Sequence, residues 1–171
     1  MSALVVMFTT LMASSIQAIL PTWGAMGHAK APLLLCIAVY YALTRRRQVA
    51  VAVAIFLGFV QDSQGLTPVG VSLVAFFIIV FLINSYREEV FILHPVTHAI
   101  FGFCASAAAD LIMLFLLSIL VPGLRLGVFA TFAKIIGSAM MAALCLPLVY
   151  QAIWHLDLAL GNVKKRGVAW P

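Results

Sequence analysis

Lys30, Asp62, Asp110 and Lys134 are ionisable side chains set inside or beside long apolar runs. A carboxylate and an ammonium held at one depth in a hydrocarbon layer can relay a proton, hold an ion or small polar ligand, or neutralise one another and fix helix register. Covalent chemistry has less support. Ser63 follows Asp62, but a nucleophilic serine needs a base oriented towards its hydroxyl, and a serine at a turn ordinarily caps the next helix. The sequence has no His-Glu-x-x-His helix, no Gly-x-Ser-x-Gly elbow and no phosphate-binding glycine loop. His28, His94, His98 and His155 are scattered, and Cys36, Cys104 and Cys145 are odd in number and lack metal-ligand spacing. These patterns imply no catalytic residue, no metal site, no cofactor and no disulfide framework.

The elements that must position the four charges are membrane helices. Of the 171 residues, 65% are hydrophobic and 9% are charged, which leaves no room for a soluble domain. At ~20 residues per crossing of ~30 Å of hydrocarbon, the apolar runs resolve into spans near Ala3–Leu20, Trp23–Leu43, Val49–Gln61, Val69–Ile83, Val96–Leu120 and Val128–Tyr150. An all-α membrane protein is expected, with residues 1–171 forming a single integral membrane domain built as a six-transmembrane-helix bundle. Barrel strands would alternate apolar with polar residues, whereas residues 76–83 are apolar throughout. Pro68 and Pro95 stand where helices can begin, Pro21 and Pro122 where they should stop, and Pro147 should kink the last span. Ala3–Leu20 lacks the basic residues that precede the core of a secretory signal and reads as a retained helix.

Lysine and arginine mark the cytoplasmic side of a membrane protein. With the N-terminus inside, the cytoplasmic segments hold Arg45, Arg46, Arg47, Arg87, Lys164, Lys165 and Arg166, and the outer connections hold Lys30 and Arg125. Both termini are then cytoplasmic. The net charge of +5 reads as topology and as contact with anionic membrane lipids, the role also expected of the Lys164-Lys165-Arg166 tail, with no sign of nucleic-acid binding.

On this topology Lys30 precedes Arg45 by fifteen residues and Asp62 follows Arg47 by fifteen. Two helices leaving the arginine hairpin would carry both side chains to ~22 Å above it at 1.5 Å per residue. Asp110 reaches a comparable level, and Lys134 lies nearer the outer surface. The four residues compose a polar layer in the outer half of the bundle. An unpaired charge near the bilayer centre costs about 2.5–3.5 kcal/mol on insertion scales, so these side chains should face inward. Two readings stay open: a ligand or ion pocket, and a set of pairs and hydrogen bonds that holds the helices in register.

Between the third and fourth spans runs the pattern Gly58-x-x-x-Asp62-x-x-Gly65-x-x-Pro68-x-Gly70. Gly58 and Gly70 are expected to allow close backbone approach, Gly65 to form a tight or left-handed turn, and Pro68 to start the next helix. Asp62 can cap freed N–H groups or pair with Lys30. Residues 49–60 reach about 18 Å at helical rise, too short to cross alone, so Gln61–Thr67 is expected to dip into the bundle as non-helical chain.

This pattern, with Arg87-Glu88-Glu89 after the fourth span, Pro147 late in the last and a basic tail, resembles the MreD family of bacterial rod shape-determining proteins. The likeness extends over nearly the whole chain in length and span order, and its specificity lies in the central motif. It implies a non-enzymatic, multi-pass component of the bacterial inner membrane that binds MreC directly. That assembly would link cytoplasmic MreB filaments to RodA and a penicillin-binding transpeptidase, which build peptidoglycan during elongation. The family is also similar in fold to the substrate-binding subunits of energy-coupling-factor transporters. The alternative function is therefore substrate capture for a vitamin or ion importer.

Three surfaces are candidates for partners. An outer rim of Leu20–Lys30, Gln61–Pro68 and Leu120–Gly127 can hold the membrane-proximal part of an MreC-like protein. Phe76, Phe77 and Phe81 on the fourth span can meet another transmembrane helix or lipid. Arg87, in the turn after that span, can approach MreB.

Overall fold

The computed structural model describes residues 3–21, 30–65, 68–86, 95–121 and 127–159. Among them the chain forms six α-helices: α1 (Ala3–Ile19), α2 (Leu33–Thr44), α3 (Arg47–Gln64), α4 (Val71–Tyr86), α5 (Pro95–Leu120) and α6 (Val128–Ala159).

The shortest helix is the centre of the molecule. Every residue of α2 from Leu34 to Leu43 is buried, and α2 packs against each of the other five helices. Its sequence has no polar stripe because none of its faces is left outside. Its twelve residues reach about 18 Å. Lys30 lies on non-helical chain just before it, not within a long span beginning at Trp23.

The outer helices are apolar on the face turned away from α2. On α1, Val6, Thr9, Thr10, Ala13 and Gln17 are buried, whereas Phe8, Leu11, Ile16 and Ile19 are exposed. The inward hydroxyls are satisfied within the helix, Thr9 donating to the Val5 carbonyl at 2.7 Å and Thr10 to that of Val6 at 2.6 Å. Two stretches, Val96–Leu120 in α5 and Phe129–Ala159 in α6, are long and apolar enough to cross a bilayer, yet only 17% and 28% of their most apolar windows are buried. A core helix of a soluble protein would be mostly covered. Here the large apolar side chains face out, as a hydrocarbon solvent favours.

Two pairs of helices approach at glycine. A Cβ on Gly58 would stand 2.5 Å from the Leu73 Cα, so α3 meets the α4 backbone directly at this point. A Cβ on Gly102 would stand 2.7 Å from the Ala142 carbonyl oxygen, and α5 meets α6 in the same manner.

Two further boundaries differ from expectation. α3 continues as helix to Gln64, so Gln61, Asp62 and Ser63 belong to a regular helix instead of an unwound dip. α6 runs unbroken through Pro147 and ends at Ala159, nine residues beyond the expected end at Tyr150. The reason is packing: Leu146, Tyr150, Ile153 and Asp157 repeat at spacings of four, three and four, and all four are buried. That repeat keeps one face of the helix against the bundle past the end of its uniformly apolar run.

Candidate functional site

The centre of the glycine-proline motif is the Asp62 carboxylate. It is 2% exposed, and it accepts the Gly70 N–H at 2.7 Å and the Ser72 N–H at 3.0 Å. A side chain near the end of α3 thereby satisfies two donors at the start of α4, where a helix leaves its first N–H groups without intrahelical partners. The negative charge also faces the positive end of the α4 dipole. Ser63 donates to the Val60 carbonyl at 2.7 Å instead of to this carboxylate.

Of the two turn glycines, Gly70 and not Gly65 takes the left-handed conformation. Gly65 closes α3 in an extended conformation, with φ −95°, and its N–H reaches the Asp62 carbonyl at 3.3 Å. The left-handed residue is Gly70, with φ +108° and open space where a Cβ would be. That conformation is what presents the Gly70 N–H to Asp62. Pro68 is exposed, and its carbonyl receives the Val71 N–H at 3.4 Å.

Beside this turn lies a cavity of about 240 Å³, lined among others by Lys30, Gln61, Ser72, Asp110, Lys134 and Ser138. Three members of the expected polar layer, Lys30, Asp110 and Lys134, thus share one space. Asp62 stands behind the wall, tied to it through Ser72. Ser138 donates to the Asp110 carboxylate. Gln17 donates its amide to the Gln61 side-chain oxygen at 3.0 Å, and Gln64 donates to Ser14. These bonds join α1 to α3 and α5 to α6 at the end of the bundle opposite the arginine hairpin. No ion pair joins Lys30 to Asp62, or Lys134 to Asp110, among the described residues. The two lysines are exposed, while both aspartates take partners from N–H and O–H donors.

The arginine end holds a second polar cluster that reasoning from sequence missed. Asp157 is 1% exposed and receives the Arg45 guanidinium and the Tyr40 hydroxyl, each at 2.9 Å. Asn84 of α4 donates to the Ala42 carbonyl at 2.8 Å, closing the same end. The His98 ring stacks on Tyr150 at 4.1 Å, and Tyr150 meets Tyr40 edge-on at 5.1 Å. The signal available was the four-three-four repeat ending on Asp157, which sets that carboxylate on the buried face.

Of the arginines expected to set the topology, Arg45 is a structural anchor, Arg46 is exposed, and the Arg47 guanidinium lies 4.0 Å from the Phe81 ring centroid. Phe77 and Phe81 are partly exposed and adjacent, their centroids 6.0 Å apart. Phe76 does not share their face; it is 3% exposed and packs in the core, because successive helix residues turn by about 100°. Arg87, Lys164, Lys165 and Arg166, together with the rim segments 22–29, 66–67 and 122–126, lie outside the described residues.

Inward-facing polar groups, outward-facing apolar ones and two long apolar helices with little burial define an all-helical membrane protein. The model of one family, described as rod shape-determining protein MreD, matches residues 1–158, and the chain belongs to that family. Membership makes it a membrane protein that determines rod shape. Neither the curated proteins nor the solved structures yield a match.

Proposed function

We propose that this chain is a six-span, multi-pass protein of the inner membrane with both termini in the cytoplasm, and that it works as a non-enzymatic part of the elongation machinery. In this reading it binds MreC directly and helps link MreB filaments to RodA and the penicillin-binding transpeptidase. The observation that carries the reading is the family match over residues 1–158. The charge distribution supports the orientation, since Arg45, Arg46 and Arg47 gather at one end and the cavity lies at the other.

The outer end suits a docked protein segment. The cavity opens beside the α3–α4 turn, with the exposed Lys30 and Lys134 at its lining and a rigid wall held by Asp62. The same polar cavity is what favours the second reading, substrate capture on a fold like that of energy-coupling-factor subunits. Its volume of about 240 Å³ lies just below the ~300–1,000 Å³ of pockets for drug-sized ligands.

A tagged copy cross-linked mildly in its native host and analysed for retained proteins and small molecules separates the two. Enrichment of MreC, RodA and the transpeptidase is expected. Enrichment of an energy-coupling ATPase module with a bound small molecule would replace the scaffold reading with the importer.

A further inference from the structure

A second concavity lies on the outside of the molecule, at the end that carries the arginines. It is an open groove of about 410 Å³ between α1 and α3, lined almost wholly by apolar atoms of Val6, Met7, Ala52, Val53 and Phe56, with Gln48 at one end. α1 and α3 run side by side in the same direction: Val6 and Met7 lie against the first half of α3, and Gln17 reaches Gln61 near its end. The small side chain of Ala52 leaves the floor of the groove low between Gln48 and Phe56. Those two residues are eight apart on the helix, so the groove extends along the helix for about 12 Å at 1.5 Å per residue.

What distinguishes the groove from the rest of the apolar surface is the amide at its end and the charge close by in the chain. Arg46 immediately precedes α3 and is exposed, and no hydrogen bond or ion pair engages its side chain among the described residues. Gln48, the second residue of the helix, is also exposed and brings an amide donor to the lining itself. α3 begins here without a side-chain cap, so its dipole adds positive potential of the same sign. Arg47 belongs elsewhere, its guanidinium lying over Phe81 of α4. An apolar channel that ends on an amide, with an exposed guanidinium two residues further back on the chain, complements a molecule with a hydrocarbon chain and an anionic head.

We propose that this groove is a binding site for one anionic glycerophospholipid, with an acyl chain along Ala52 and Phe56 and the phosphate at Arg46 and Gln48. The site is distinct from the polar cavity at the opposite end, and it does not depend on which partner that cavity serves. Its function would be to hold the start of α3 at the headgroup level of the anionic leaflet.

The test uses the full-length protein in detergent, exchanged with phosphatidylglycerol or phosphatidylcholine and read by native mass spectrometry. The wild type is expected to retain one phosphatidylglycerol in preference to phosphatidylcholine. Arg46→Gln should lower that preference about fivefold, the equivalent of the ~1 kcal/mol that one basic residue contributes at an anionic surface. Arg47→Gln, which removes the same formal charge, should leave it unchanged. Ala52→Leu, which fills the groove without altering charge, should reduce retention of both lipids. Equal effects of Arg46→Gln and Arg47→Gln would overturn the site in favour of a diffuse surface potential. A photoreactive residue at position 52 that forms a protein adduct instead of a lipid adduct in the native membrane would assign the groove to a transmembrane helix.

Discussion

Asp62 illustrates why a carboxylate can sit 2% exposed in a membrane protein without a lysine beside it. Its charge is met by two backbone N–H groups at 2.7 and 3.0 Å, hydrogen bonds of the charge-assisted kind. Asp62→Ala would leave the buried Ser72 N–H without that acceptor, at about 1–3 kcal/mol, and the half-buried Gly70 N–H at a smaller cost, and should lower the folded fraction recovered after heating in detergent. Asp62→Asn keeps one carbonyl acceptor and should fall between the two; a wild-type melting profile for Asp62→Ala would refute the capping role. Asp157 makes the opposite kind of tie, a nearly buried ion pair with Arg45. Breaking a buried pair from one side is worth about 3–5 kcal/mol, and Arg45 is partly open to solvent, so Asp157→Ala should cost somewhat less. The double variant Arg45→Met, Asp157→Leu should be less destabilised than Asp157→Ala alone when both are unfolded in the same detergent. Greater loss in the double variant would show that the pair itself adds net stability.

At the scale of elements, glycine spacing governs how closely α3 approaches α4 and α5 approaches α6. A methyl group on Gly58 meets backbone at 2.5 Å, which no rotamer change of a neighbour can relieve. Gly58→Ala is therefore expected to destabilise the protein by about 1–3 kcal/mol through forced separation of α3 and α4. Gly127→Ala, whose nearest neighbour would be the Ala130 side chain at 3.8 Å, should be neutral in the same melt. Similar melts for the two variants would contradict the close-approach account. The existence of these helices was legible in the sequence, because long apolar runs with prolines at their edges allow little else. Their ends were less so. The run of α2 looked like a full crossing from Trp23, yet residues 30–32 are non-helical and the helix begins at Leu33, because apolar composition alone does not set where a helix starts. The last helix looked finished at Tyr150 because polar residues follow, and the periodic burial of Ile153 and Asp157 was the stronger signal. Of the site, the gathering of Lys30, Asp110 and Lys134 followed from topology and depth. The partners of Asp62 did not, since backbone N–H groups leave no trace in residue identity.

At the scale of the whole molecule, the described residues form a short central helix sheathed by five others whose outward faces are apolar. The two ends differ chemically. One is closed by Arg45, Tyr40, Asn84 and Asp157, and the other holds a cavity with two exposed lysines. In the proposed orientation the closed arginine end lies at the cytoplasmic face and the open cavity end faces outward. We propose that this outward end receives MreC. The most direct test places a photoreactive residue at position 30, on the cavity lining, in the full chain within its native host. MreC adducts at position 30 are the predicted result. Adducts that lack MreC at this position, in cells where the protein still supports rod shape, would contradict the claim.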